Sequence, residues 1–215
     1  MINWTLLIAA LFAVVFGGIK IMTAKPPLFF KILWCAFGCF LLGQCFAMCY
    51  ELVTGNEPSG FNVGHFGFIG MYAFLFSAYF GAMNRLGDSG EPHFRKYRTV
   101  SLIAPVAVLV MYYFYINAPI NISHKINISI LVIPIVLLSY FALKFLILPD
   151  VDLGIIKVMR PFSAIMLYFC IAHIGFEALA AYNVTYTYFI GKMSDAAVIA
   201  VTLPVAYRGV KKWFM

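Results

Sequence analysis

The chain has 215 residues, of which 64% are hydrophobic and only 11% are charged, whereas an average soluble domain is about half apolar and about a quarter charged. A soluble fold of this size could not bury so much apolar surface, so the composition excludes a soluble domain and indicates that lipid is the solvent for much of the chain. The net charge of +7 does not indicate nucleic-acid binding, because the basic residues lie in short loops and form no recognition motif. We expect no soluble kinase, cyclase or ATPase module, so a signalling role would need a partner protein.

Seven apolar segments predict an all-α polytopic membrane protein with a single transmembrane domain over residues 1–215. Each segment must be a helix, because lipid cannot satisfy backbone polar groups and the alternating strands of a barrel are absent from the sequence. The last segment is short unless it begins before Lys192 and Asp195, which would then lie in its first turns. The predicted spans lie near 4–22, 28–52, 62–84, 99–117, 127–148, 161–182 and 186–207.

Lysine and arginine are distributed unequally between the two sets of connections. All but two of the 15 lie in or next to the connections that follow spans one, three, five and seven, and the exceptions are Lys125 and Lys192. Because positive residues favour the cytoplasmic side, the pattern predicts an N-terminus outside and a C-terminus in the cytoplasm. The predicted location is the cell membrane, either a plasma membrane or a bacterial inner membrane.

Spans two and six share a pattern that suggests an internal repeat. An inner lysine is followed 20 residues later by an outer glutamate in both, Lys31 with Glu51 and Lys157 with Glu177. Chance similarity between two apolar helices is the alternative. Parallel repeats occur in transporters, and a 3+1+3 layout of this length is similar, in architecture only, to sugar-efflux transporters of the SWEET type and to KDEL-type receptors. The paired Pro-Gln motifs of that group are absent from the sequence.

Three glycines open the third span at intervals of three residues, Gly64, Gly67 and Gly70. Small residues on one face of a membrane helix allow the backbone of a neighbouring helix to come close. The spacing therefore predicts a tight helix contact and not a phosphate-binding loop.

The ionisable residues inside the predicted spans are concentrated in the outer half. Such groups are costly in lipid and usually face the bundle interior or a watery cavity. At about 100° per residue, several polar residues share one face of each helix, so the faces of spans two, three and six would line one outward-open cavity if they converge. The predicted substrate- or ion-binding residues are Gln44, Glu51, His65, Tyr72, Ser163, His173, Glu177, Lys192 and Asp195.

A structural role for the same residues is the competing interpretation. His173 and Glu177 are four residues apart and could form a hydrogen-bonded pair that fixes helix packing, worth about 0.6 to 2 kcal/mol. Lys192 and Asp195 are three residues apart on the seventh span and can pair as an interfacial ion pair. His65 could be a polar residue at the level of the lipid headgroups.

A metal site is a weaker hypothesis. His65, His173 and Glu177 would give three ligands and an open position, the pattern of catalytic zinc. Membrane hydrolases of the ceramidase and adiponectin-receptor type use a related arrangement with more histidines, and this sequence has no HxxxH or HExxH motif. We therefore predict no metal, no cofactor and no catalytic residue.

These observations leave four functional hypotheses. The first is a small-molecule or proton-coupled transporter, in which Glu51 and Glu177 bind a proton or cation and His173 tunes Glu177. The second is a sensor or receptor subunit that reports to a cytoplasmic or membrane partner through the loop at 85–98. The others are a lipid-modifying enzyme and an assembly subunit whose polar residues serve only packing. The expected partners are the lipid bilayer and an unknown small molecule or ion, without nucleic acid.

Overall fold

A computed structural model of the chain describes residues 2–56, 58, 60–83, 92–149, 154–184 and 186–214. Every regular element within these ranges is helical, and seven of the spans they form are long and apolar enough to cross a membrane. The all-helical, seven-span prediction is confirmed, and the chain is a multi-pass membrane protein whose surface contacts the lipid bilayer. The orientation and the internal repeat stay predictions. The first half of the loop at 85–98 that was proposed to contact a partner, residues 85–91, lies outside the described residues.

The bounds of the helices define the spans. The third span continues from its α-helix into a π-helical turn over Ala78–Met83, and a short 3₁₀ turn at Pro92–Phe94 precedes the fourth span, which two helices form together. In chain order the helices are α1 (Ile2–Ala24), α2 (Leu28–Thr54), α3 (Val63–Ser77), α4 (Arg95–Val100), α5 (Ile103–Asn117), α6 (Ile122–Ile147), α7 (Ile155–Ala181) and α8 (Thr187–Phe214).

Several helices begin earlier than the apolar segments predict. The spans predicted at 99, 127 and 161 begin in the structure at Arg95, Ile122 and Ile156. An apolar segment starts where charged and polar residues stop, whereas a helix can carry such residues in its end turns, where water is near. At the start of α6 the side chain of Asn121 accepts a hydrogen bond from the backbone of Ser123 and caps the helix.

The start of the last helix decides a question that the sequence left open. Because α8 begins at Thr187, Lys192 and Asp195 both lie in its first turns. Their side chains therefore stand beside the end of α7, to which α8 is joined by a short connection.

Six helices form a ring in the order α1, α2, α3, α6, α7, α8, and α8 closes the ring against α1. Helix α5 packs outside the ring against α6 and α7. Helices α1, α2 and α3, like helices α6, α7 and α8, follow one another in chain order around the ring.

Glycines bring α2 and α3 into direct backbone contact. A Cβ atom at Gly67 would lie 2.6 Å from the carbonyl oxygen of Cys39, and one at Gly43 would lie 2.7 Å from the carbonyl oxygen of Gly64. No side chain fits in this space, so the predicted tight contact is confirmed.

One half of the bundle is filled by an aromatic cluster, which we define as Tyr79, Phe141, Phe145 and Phe162. The ring of Tyr79 is completely buried and stacks on the three phenylalanine rings, with centroids 6.4, 5.9 and 5.4 Å away. These residues come from the π-helical turn after α3, from α6 and from α7, so the cluster connects the first three spans to the later ones.

Candidate binding site

A cavity of about 250 Å³ opens at the end of the bundle where α2, α5 and α7 finish and α3, α6 and α8 begin. At about 30 Å³ per water molecule it has room for about eight waters. It lies just below the usual size of ligand pockets, about 300 to 1,000 Å³, so it suits a small molecule. Seven of the nine predicted residues line it: Gln44, His65, Tyr72, His173, Glu177, Lys192 and Asp195.

Helices α7 and α8 contribute a histidine–carboxylate pair and a lysine–glutamate ion pair to one wall of this cavity. Nδ1 of His173 lies 2.9 Å from Oδ2 of Asp195, and Nζ of Lys192 donates to Oε1 of Glu177 at 3.0 Å. The side chains are 14% and 9% exposed in the first pair and 20% and 21% in the second. Both pairs are therefore mostly withdrawn from solvent yet still in contact with it.

The pairing differs from the sequence prediction, which joined His173 to Glu177 and Lys192 to Asp195 within their own helices. Each side chain is instead bonded across the interface between α7 and α8. The two helices lie close together here, since a Cβ atom at Gly191 would be 2.8 Å from Cβ of Phe176. At this distance a side chain reaches an opposite charge on the facing helix, so the intrahelical prediction was wrong.

The contact with Asp195 determines which face of the His173 ring can act. Because the carboxylate engages Nδ1, Nε2 is the nitrogen left for a proton or a ligand. The ring also lies 5.7 Å from the ring of Phe169, which stacks on Tyr72 at 6.2 Å. The histidine is held between a carboxylate and an aromatic wall.

The opposite wall carries polar groups without a protein partner. Gln44 is 6% exposed and Tyr72 is 2% exposed, and neither side chain makes a hydrogen bond with a residue that the structure describes. On α6, Oδ1 of Asn127 is also buried without a partner in the described part of the chain. Buried polar groups are nearly always paired, so these groups face space that water or a ligand must fill.

His65 has a structural task as well as a place on the cavity wall. Its Nδ1 accepts a hydrogen bond from the backbone of Asn62 at 3.2 Å, while the Asn62 side chain accepts from the backbone of Gly64 at 3.0 Å. This reciprocal capping box starts α3. The histidine at this position therefore also caps the start of α3.

Two of the predicted residues lie outside the cavity because their depth in the bundle differs. Ser163 is ten residues before His173, about 15 Å lower along α7, where it accepts a hydrogen bond from the Tyr79 hydroxyl at 3.3 Å. Glu51 is seven residues beyond Gln44, about 10 Å further along α2, and is half-buried near the end of that helix. Helical periodicity predicts on which side of a helix a residue lies, but it does not predict how deep in the bundle that residue lies.

Four lining residues with polar side chains were not predicted from the sequence: Tyr115, His124, Asn127 and Tyr188. The Tyr115 hydroxyl donates to the backbone carbonyl of His124 at 3.1 Å and holds α5 to the start of α6. His124 precedes the predicted fifth span at 127–148, so the sequence did not mark it as part of a helix. The capping residue before it, Asn121, was the signal that could have placed His124 and Asn127 on one face of the first turns of α6.

The arrangement does not resemble a metal site. No group of three or more His, Cys, Asp or Glu in the described ranges is close enough to hold a metal ion. The set His65, His173 and Glu177 lines the cavity without converging on one point. What the site offers is charge, hydrogen bonding and aromatic surface.

No protein-family model matches the sequence, and comparison with curated proteins and with solved structures also finds no match. The comparisons therefore support no transporter, receptor or enzyme family, and the inference of function depends on the geometry of the cavity.

Proposed function

We propose that this chain is a membrane transporter that binds a small polar molecule in the cavity. The observation that carries the proposal is the contrast between its walls: paired charges on α7 and α8 face Gln44 and Tyr72, which have no partner among the described residues. Binding sites for small molecules are mostly apolar cavities with a few inward-facing polar groups of this kind.

A role in packing alone does not account for the unpartnered side chains. Neither the polar end of Gln44 nor that of Tyr72 is among the fully buried side-chain atoms without a partner, so both reach the open space of the cavity, where packing gives no reason for a polar group. A ligand in the cavity can bond both side chains. The cavity also keeps contact with solvent through the partly exposed Lys192 and Glu177, so a ligand can reach it.

Transport is favoured over simple binding by the closed half of the bundle. The aromatic cluster packs the ring beneath the cavity, and a site blocked on one side in this way belongs to one state of an alternating-access cycle. The 3+1+3 neighbour order supports the two three-helix units that such a cycle would move against each other.

A second candidate is a lipid-modifying enzyme, and one specific observation favours it. An imidazole bonded through Nδ1 to a carboxylate, with Nε2 left for substrate, is an arrangement of general-base catalysis. In this case His173→Gln would abolish product formation while a substrate analogue still binds. In a transporter no chemical product forms.

The test is a thermal-unfolding scan of the detergent-purified protein with a panel of metabolites, on wild type and Glu177→Gln. We expect a compound to raise the melting temperature of the wild type and to fail on the variant, and the same compound should enter proteoliposomes that contain the protein. If it binds without entering, the receptor hypothesis replaces the transporter. If no compound shifts the wild type and Glu177→Gln lowers stability equally in every condition, the ionisable cluster is a packing device.

A further inference from the structure

The cavity lacks one positive charge. Among its described lining residues, Lys192 carries one positive charge, and Glu177 and Asp195 carry two negative charges when ionised. With neutral histidines the lining therefore has a net charge of −1. A net charge is costly inside a bundle surrounded by lipid, so the site favours one additional cation.

A proton on the His173–Asp195 pair provides one way to neutralise the lining. Histidine ordinarily changes its charge between about pH 5 and 8, and Nε2 is the position not engaged by Asp195. A cationic ligand provides the same charge. Proton and ligand together would leave the lining and its ligand with an excess positive charge, so each disfavours the other.

We propose that the cavity binds a small organic monocation, an alkylammonium or a quaternary ammonium ion, in exchange for one proton on the His173–Asp195 pair. When the cation enters, the proton on Nε2 leaves to solvent, and the charge of the filled site stays at zero. The inference rests on the proposed function and specifies its substrate class and its coupling ion.

The contacts of the lining suit a cation better than an anion. Lys192 is already bonded to Glu177, so its charge is largely compensated. Glu177 and Asp195 each use one oxygen in their ion pair and keep a second oxygen that can accept from an ammonium group. The rings of Phe169 and Tyr72 add the aromatic faces that attract organic cations.

Other titratable groups face the pair from the neighbouring helices, and the test has to separate them. His65 is a hydrogen-bond acceptor in the capping box of α3, and His124 lies at the start of α6. Both can change charge in the same pH range as His173. The titratable side chains around the pair are Glu177 of α7, Lys192 and Tyr188 of α8, His65 and Tyr72 of α3, Tyr115 of α5 and His124 of α6.

Isothermal titration calorimetry on the full-length protein in detergent measures both parts of the proposal. The probes are tetramethylammonium and butylammonium chloride, with 1-pentanol and butanoate as neutral and anionic counterparts, between about pH 5.5 and 8. Buffers of different ionisation enthalpy report the number of protons released. We expect only the cations to bind, with about one proton released per cation at low pH and an affinity that rises up to about tenfold per pH unit.

Two matched variants assign the proton. His173→Gln keeps a donor for Asp195 but cannot be protonated, so its cation affinity should no longer depend on pH and cation binding should release no proton. His124→Gln removes another cavity histidine and should keep the pH dependence. If His173→Gln does not fold, proton release by the wild type still decides the exchange.

The outcomes separate this inference from the proposed function. If pentanol or butanoate binds and the cations do not, the cavity remains a binding site and the substrate class is wrong. If the cations bind without proton release at any pH, the exchange is wrong. If no probe binds and no metabolite shifts the melting temperature, the proposed function fails as well.

Discussion

The two halves of the bundle are built from the same helices, but one half is closely packed with aromatic rings and the other encloses a polar cavity. In the aromatic half, Tyr79 is completely buried among three phenylalanine rings and makes one hydrogen bond, to Ser163. In the cavity half, the same helices carry ionised pairs and unpartnered amides around about 250 Å³ of space. Aromatic rings pack closely and leave little space between the helices. Charged side chains are held by their partners, so a space between the helices can stay open.

The comparison assigns different roles to polar groups in the two halves. The Tyr79–Ser163 bond satisfies groups that no ligand can reach, so it is part of the packing. Gln44 and Tyr72 lack such a partner in the described structure, so they matter for what enters the cavity. A substitution that removes one partner of a pair should therefore lower stability strongly. A substitution of an unpaired cavity residue should mainly change ligand binding.

The largest effect should follow from breaking an ion pair on one side. Lys192→Met leaves Glu177 as an uncompensated charge, which costs about 3 kcal/mol or more of unfolding free energy for a mostly buried pair. The double variant Lys192→Met/Glu177→Gln should recover much of that loss, because neither charge remains. Chemical unfolding in detergent measures both, and a single variant as stable as the wild type would contradict the pairing.

A smaller loss should follow from Gly67→Ala. The added methyl group would lie 2.6 Å from the carbonyl oxygen of Cys39, so α2 and α3 must separate at a cost of about 1 to 3 kcal/mol. Gly38→Ala is the matched control, since a Cβ there meets no described atom within 4 Å. It should leave stability unchanged or raise it by up to about 1 kcal/mol; equal losses in the two melting curves would rule out the tight contact.

The hydrogen bond in the aromatic half should be worth about 1 kcal/mol. Tyr79→Phe keeps the stacked ring but removes the 3.3 Å bond to Ser163. In a Ser163→Ala background the same change should cost clearly less, and a double-mutant cycle measures the difference. A cycle with no coupling would show that ring stacking alone holds Tyr79.

The smallest effect on stability should come from Gln44→Met, although its effect on binding should be large. The amide makes no hydrogen bond with a described residue, so a side chain of similar length should change the unfolding free energy by no more than about 0.5 kcal/mol. The ligand-induced rise in melting temperature should disappear. A large loss of stability without ligand would indicate a structural partner for Gln44.

Much of the fold could be predicted because lipid leaves the backbone few choices. Hydropathy gave seven spans, and helical periodicity placed Gln44, Tyr72, His173 and Glu177 on faces that do meet. The close approach at Gly67 followed from residue size alone. Each of these properties depends on the sequence of one helix, so it can be predicted without knowing how the helices are arranged.

What failed depends on how two helices are placed relative to each other. The crossed pairing of His173 with Asp195 needs the rotation and level of α7 against α8, which periodicity does not give. Ser163 and Glu51 share faces with cavity residues but lie at other depths. The missed His124 reflects a helix that begins at a polar cap and not at the first apolar residue.

The most direct test of the account is thiol labelling of Gln44→Cys and Ser163→Cys in a background without the five native cysteines. A small, membrane-impermeant thiol reagent is added to sealed proteoliposomes, from one side and then from the other. The account predicts that Gln44→Cys reacts from a single side and is protected by a bound ligand, while Ser163→Cys, buried beside Tyr79 of the aromatic cluster, does not react from either side. Equal reaction at both positions, or none at Gln44→Cys, would contradict an open cavity above a closed aromatic half.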